Sequence, residues 1–233
     1  MKTIGLIGGI TWYSTVEYYR LLNEETNKRL GGAHSAHIII HSVDFAEIKT
    51  LTEQQNWAGI ASIMCNEAKK LEISNASCIL IGANTMHNIA DEIQAAVKIP
   101  VIHIADAVAK SIVKQALKKV ALIGTKYTMQ MDFYKNKLAH HNIQCMIPDE
   151  DDIEYINKAI YTEFSKGIFL PGTKKQFLHI IDKLVDRGAE GVILGCTEIP
   201  ILLKQEDCKV PVFDTTLLHA TAAVDFALDE FGK

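Results

Sequence analysis

The sequence predicts an α/β protein built as two similar open parallel-sheet domains, with the active site in the cleft between them. Three observations predict this. Short apolar runs alternate with longer stretches of helical period, the signature of βα units and parallel sheets. The run Ile79-Leu-Ile-Gly-Ala-Asn-Thr85 resembles Val192-Ile-Leu-Gly-Cys-Thr-Glu198: an apolar strand, a glycine, a small residue, then polar groups opening a helix. A chain of 233 residues has room for one large domain or for two small ones of about 100–150 residues each.

The elements follow in order. A strand is expected over Thr3 to Ile7, closed by Gly8-Gly9. A helix from Ser14 to Leu30 stops at Gly31-Gly32, as helix C-caps do. His37 to Val43 reads as a second strand. Gln54 to Leu71 reads as a helix, with Trp57, Ile60, Ile63, Met64 and Ala68 at apolar spacing. Ala76 to Ile81 is a third strand. Val101 to Ile104, introduced by Pro100, is a fourth. In the second half a strand over Val120 to Ile123 ends in Gly124-Thr125, and Tyr127 to Ala139 is helical. A strand over Ile143 to Ile147 precedes helices over Ile153 to Lys166 and Lys174 to Arg187. Strands over Gly191 to Leu194 and Val210 to Phe213 follow, and a last helix spans Leu217 to Phe231. The first lobe is expected to hold residues 1–106 with 215–233, and the second lobe 107–214.

Composition narrows the function. Apolar residues make up 48 % and charged residues 22 %, the balance of an ordinary globular protein. The net charge is −4, from 24 basic and 28 acidic residues. It gives no electrostatic reason to expect nucleic acid or an anionic membrane as a partner. No run reaches the ~18 consecutive apolar residues of a membrane span, and no targeting segment is visible, so the expected location is the cytoplasm. The five cysteines include no C-x-x-C pair, which suggests neither a disulfide framework nor a zinc site. The nine histidines show no helical metal spacing. His37 and His41 share a strand face, a structural arrangement more often than a ligating one. Gly5-x-x-Gly8-Gly9 lacks the dinucleotide spacing, and Gly124-Thr125-Lys126 lacks the upstream glycine of a P-loop.

In open α/β sheets ligands bind beyond the carboxyl ends of strands, where helix N-termini present unpaired N–H groups. Asn84-Thr85 and Thr197-Glu198 are expected at such ends. Each pair read alone is equally a helix N-cap. The repetition favours a site that grips a small carboxylate-bearing ligand. His87 and His103 are candidates through nearness to that place.

The segments Lys2-Thr-Ile-Gly-Leu-Ile-Gly-Gly9, His41-Ser-Val-Asp-Phe45, Asn84-Thr-Met-His87, His103-Ile-Ala-Asp106, Val120-Ala-Leu-Ile-Gly-Thr125 and Gly195-Cys-Thr-Glu-Ile199 together resemble the cofactor-independent aspartate/glutamate racemase superfamily over essentially the whole length. The similarity is greatest to bacterial L-aspartate/glutamate-specific or broad-specificity amino-acid racemases. Gly-Cys-Thr-Glu is the aspartate-racemase form, since glutamate racemases usually carry His where Glu198 stands.

The resemblance implies two-base chemistry, in which two thiols exchange the proton on opposite faces of the substrate Cα. It implies no cofactor and no metal, and a homodimer. Cys196 is expected as one acid/base, its thiol poised by a helix dipole or a charged neighbour. The other thiol belongs to a Cys-Asn-Thr-x-His motif, and here that position is Ala83, which has no proton to exchange. The alanine is either a substitution introduced to trap a complex or a natural variant. Cys78, in the strand upstream, is not expected to replace it. Asn84, Thr85, Met86 and Thr197, with backbone groups around Ile10 and Thr11, are expected to bind the amino acid. Relatives grip the side-chain carboxylate with an arginine in the loop after strand two; residues 44–56 here contain none, and Thr52 or Gln54 is the hydrogen-bond donor expected in that stretch. Lys166 is displaced by one position from the family's lysine, and is equally a solvated helix end. The rivals are a single-thiol decarboxylase of the same superfamily and a dicarboxylic amino-acid binding protein without turnover.

Overall fold

The structure is a computed structural model that describes residues 1–229. It divides into two compact units, Met1–Ile104 with the chain from His219 on, and Ala105–Leu218. Residues 230–233, assigned by the sequence reading to the first lobe and in part to the last helix, lie outside the described residues.

The first unit runs β1 (Ile4–Gly8), α1 (Trp12–Leu30), β2 (Ile38–Ser42), α2 (Phe45–Glu53), α3 (Trp57–Ile73), β3 (Cys78–Ile81), a 3-10 turn (Thr85–Ile89) and α4 (Ala90–Ala96). Its strands are parallel in the order β2-β1-β3. Both faces of the sheet are covered, which is why β1 and β3 read as unbroken apolar runs. Ile4, Leu6, Cys78 and Leu80 pack with Tyr18, Leu22, Ala223 and Val224. Ile7, Ile79 and Ile81 pack with Ile48, Ile60, Met64 and Leu71.

The second unit contains α5 (Ile104–Lys114, entered from the first), β4 (Lys119–Gly124), α6 (Lys126–Gln130), α7 (Asp132–His140), β5 (Gln144–Met146), α8 (Glu150–Thr162), a 3-10 turn (Phe164–Lys166), α9 (Pro171–Asp186), β6 (Val192–Gly195), α10 (Ile199–Leu202), β7 (Val212–Asp214) and the first residues of α11 (Thr215–Leu228). Its parallel strand order is β5-β4-β6-β7. Gly124 and Gly195 are register partners at the ends of β4 and β6, and a Cβ on Gly124 would lie 2.7 Å from the Gly195 carbonyl oxygen. Both strands therefore end in a glycine whose added Cβ would meet the backbone of the other strand.

Several elements differ from the sequence reading. The strand expected over Val101 to Ile104 is a single parallel bridge between Val101 and Ile79. The Val101 N–H goes to the Gln94 side chain at 2.8 Å, and Ile104 already begins α5. The helix expected from Gln54 begins at Trp57, because Asn56 caps it by accepting from the Gly59 N–H. Ahead of it lies α2, absent from the sequence reading, capped by Asp44. The helix expected over Tyr127 to Ala139 is two, broken at Met131, whose backbone is extended. The last helix starts two residues early because the Asp214 carboxylate accepts from the N–H groups of Thr216 and Leu217. No helix among the described residues is long and apolar enough to cross a membrane.

Candidate active site

In the first unit the carboxyl ends of three parallel neighbours release Gly9-Ile10-Thr11 after β1, α2 after β2, and Ala83-Asn84-Thr85 after β3. The β1 turn is fixed by Gly9, whose φ is +87° and whose added Cβ would lie 2.1 Å from the Val43 carbonyl oxygen, so only glycine fits. Gly9 N–H donates to Thr15 Oγ1 at 2.8 Å, and Thr15 Oγ1 donates to the Thr11 carbonyl at 3.2 Å. Thr11 caps α1 by accepting from the Ser14 N–H. Ile10 is buried and Thr11 half-buried.

Ala83 is half-buried, and Asn84, Thr85, Met86 and His87 are buried behind it. His87 Nδ1 lies 2.9 Å from the Ala83 carbonyl oxygen. Thr52 is buried on α2 and donates its hydroxyl to the Ile48 carbonyl at 2.7 Å, so that proton is already committed within the helix. Cys78 faces the Tyr18–Leu22 core, and burial pushes its thiol up to about 12. It supplies no acid or base at the Ala83 turn. His41 pairs with Glu67 at 3.1 Å, a structural contact.

In the second unit Cys196, Thr197 and Glu198 lie between β6 and α10, all buried. One carboxylate oxygen, Glu198 Oε2, accepts from the Cys196 thiol at 3.0 Å and from the Thr197 hydroxyl at 2.8 Å. The sequence reading placed Glu198 at the expected strand end but gave it no role on the thiol. The segment Gly-Cys-Thr-Glu was legible, but the fold-back of the glutamate onto the thiol two residues earlier depends on its rotamer. Beside it, Thr215 Oγ1 donates to the Leu194 carbonyl at 2.9 Å and pins the end of β6.

The electrostatics of Cys196 run opposite to the expectation of a poised thiolate. Burial, and then the negative charge of Glu198, push the thiol well above its ordinary value. Cys196 is a protonated thiol whose proton is directed at the Glu198 carboxylate. Lys166 is exposed, at the end of the 3-10 turn closed by Gly167, which adopts the left-handed conformation.

Chemically, the second unit holds an acid/base pair and the first holds a buried polar turn led by a residue with no ionisable group. The Asp/Glu/hydantoin racemase family model matches residues 7–223. A chain from Yersinia pestis, provisionally described as an Asp/Glu racemase, is 45% identical with a TM-score of 0.92, over 98% of this chain and 100% of that one. An aspartate racemase homologue from Pyrococcus horikoshii OT3 is 37% identical with a TM-score of 0.86, over 97% of this chain and 99% of that one. Broad specificity amino-acid racemase RacX of Bacillus subtilis (strain 168) is 23% identical over 226 residues, covering 95% of this chain and 96% of that protein. With residues 7–223 matched by the family model and its two parallel-sheet α/β units shared with these structures, the chain belongs to the Asp/Glu/hydantoin racemase family and is an amino-acid racemase of the Asp/Glu type.

Proposed function

We propose that the protein exchanges the Cα proton of a dicarboxylic amino acid of the aspartate/glutamate class through Cys196 alone, and that Ala83 leaves the opposite face without a base. The contact between Cys196 and Glu198 carries the reading. A thiol raised by burial and a neighbouring carboxylate becomes a base only when its proton moves onto that carboxylate. The ammonium group of an entering amino acid supplies the positive charge that makes the transfer favourable. The S–H bond then breaks, the proton passes to Glu198 Oε2, and the thiolate takes the Cα proton. The electron pair left on Cα delocalises into the α-carboxylate, which hydrogen-bond donors among Ile10, Thr11, Asn84, Thr85 and Thr197 would stabilise as charge develops. Met86 lines the same turn, and Lys166 is assigned to the side-chain carboxylate; Thr52 is not, because its hydroxyl proton is held by the Ile48 carbonyl. No cofactor or metal enters these steps.

Inversion needs a second acid on the other face of Cα, and a methyl group is none. The proton returns from the side it left, so the expected product is isotope exchange with little D-isomer. His87 does not replace the missing base: its ring is fully buried against two other histidines. The test is incubation with L-aspartate or L-glutamate in deuterated water. Deuterium at Cα with retained configuration is expected, abolished by Cys196→Ala. Substitution of Ala83 by Cys is expected to add D-isomer formation. Binding with neither exchange nor D-isomer would instead indicate a binding protein, and loss of carbon dioxide from the substrate a single-thiol decarboxylase.

We also propose a homodimer. Trp12, Val16 and Tyr19 lie at i, i+4 and i+7 on one face of α1 and are 60%, 57% and 55% exposed. Light scattering should give twice the chain mass, and Trp12→Lys should reduce it to one.

A further inference from the structure

Three buried histidines of the first unit gather in one place, and the reaction proposed above uses none of them. The ring of His87 stands 4.8 Å from that of His103 and 5.3 Å from that of His219, both in edge-to-face contact. His219 is held at both nitrogens. Its Nε2 lies 2.6 Å from the Ile102 carbonyl oxygen and its Nδ1 lies 2.7 Å from the Tyr18 hydroxyl. A carbonyl can only accept, so Nε2 carries the proton and Nδ1 accepts from Tyr18. The same reasoning fixes His87. Its Nδ1 faces the Ala83 carbonyl at 2.9 Å and must donate, which leaves a lone pair on Nε2. That Nε2 is fully buried and has no hydrogen-bond partner. A buried acceptor left unmatched is unfavourable, and a purely packing role would be filled better by an apolar side chain of the same size. What the imidazole provides that an apolar ring cannot is hydrogen bonding to the backbone of this turn, at Ala83 first and also at Asn84.

We propose that His87 is a positioning residue for the Ala83–Thr85 turn: its Nδ1–H fixes the Ala83 carbonyl, and the rings of His103 and His219 hold the imidazole at the required angle. The Ala83 peptide plane sets the direction of the Asn84 N–H, and the next plane sets that of Thr85. The chain ties this turn to α1 through Tyr18 and to α11 through His219, two elements remote from it in sequence. That the turn binds substrate rests on the function proposed above. That His87 orients it does not.

The test compares two amides. In His87→Asn the side-chain nitrogen falls near the place of Nδ1, whereas in His87→Gln it falls near that of Nε2. Without ligand, the Gln variant should shift the backbone amide resonances of residues 83–86 and the Asn variant should leave them close to the parent's. Calorimetric titration with L-aspartate and L-glutamate, well below either variant's melting temperature, should show about a tenfold weaker Kd for Gln, the loss of one hydrogen bond. The Asn variant should stay close to the parent. Unmoved 83–86 amides in the Gln variant overturn the proposal. So does an equal loss of affinity in both variants that tracks their loss of melting temperature. Should neither variant fold, the imidazole nitrogen spectrum of the unmodified protein decides: an Nδ1–H tautomer at His87 supports the proposal and an Nε2–H tautomer overturns it. A parent that binds neither amino acid, while the Gln variant still shifts the turn, supports the positioning role and rejects the substrate class.

Discussion

Glu198 has two effects on Cys196 that oppose each other. It accepts the thiol's hydrogen bond, which prepares a route for the proton, and its charge disfavours the thiolate that the route would create. Glu198→Gln separates the two. With the charge gone, the thiolate should form at lower pH, so the alkylation rate of the Cys196 peptide, followed by mass spectrometry, should rise at a lower pH than in the parent. Deuterium exchange at Cα should nevertheless fall by about 10²–10⁴-fold, because an amide cannot take the proton. A slower alkylation at every pH would count against the dyad. At this scale the sequence was informative about identity and silent about pairing. Cys196 and the Asn84-Thr85 pair were legible as a thiol and two polar residues after glycine-ended strands. The contact of Glu198 with the thiol was not, because two residues apart in an irregular segment says nothing of which way a long side chain turns.

Among the elements, the turn after β1 depends most on a single residue. Gly9 combines a positive φ with a backbone oxygen 2.1 Å from where a Cβ would stand. Gly9→Ala must therefore displace Val43 or rebuild the turn, at a cost of about 3 kcal/mol or more. A urea titration should show the midpoint falling, and the Ile10–Thr11 segment should lose any part in ligand binding. The strand runs and glycine stops were readable because alternation and glycine are local signals. Helix α2 was missed although Asp44 was available as its cap, since nine residues with only Ile48 and Thr52 buried make a weak periodic pattern. The bridge at Val101 was overread as a strand. Its apolar residues fit one, and its bonds to β3 are made (Ile79 N–H to the Pro100 carbonyl, Ile102 N–H to the Ile79 carbonyl), but α5 begins at Ile104 and ends the pairing after one bridge.

For the molecule as a whole, buried neutral groups limit stability on both sides of neutral pH. Burial lowers His219 from 6.5 to about 3, with Tyr18 and the neighbouring His87 and His103 facing it and no carboxylate in hydrogen-bond contact with its ring. His87 is lowered too, by burial first and by the other two histidines after it. The folded state then binds fewer protons than the unfolded chain. Stability is full above about pH 6.5 and declines as pH falls toward 3, by up to about 1.4 kcal/mol per pH unit for each group. On the alkaline side Cys78 and Cys145 are raised by burial from 9.0 to about 12. Their contribution is present below pH 9 and is lost as pH rises through that interval. Melting temperature should therefore plateau between about pH 6.5 and 9. His219→Gln should flatten the acid limb; an unchanged acid limb would show that these histidines do not govern it.

What the sequence determined by itself was the class of fold, the repeated strand-glycine-small-polar motif, and the family to which those motifs belong. These are local patterns, and the physical rules behind them act over a few residues: alternation along strands, capping at helix ends, glycine where backbones meet. What only the tertiary structure decided was partnership across distance. Tyr18 bonds to a histidine 201 residues away. That histidine stands against His87, and His87 holds the carbonyl of Ala83. No spacing rule encodes such contacts, because they arise only when α1, α11 and the turn after β3 are folded around one sheet.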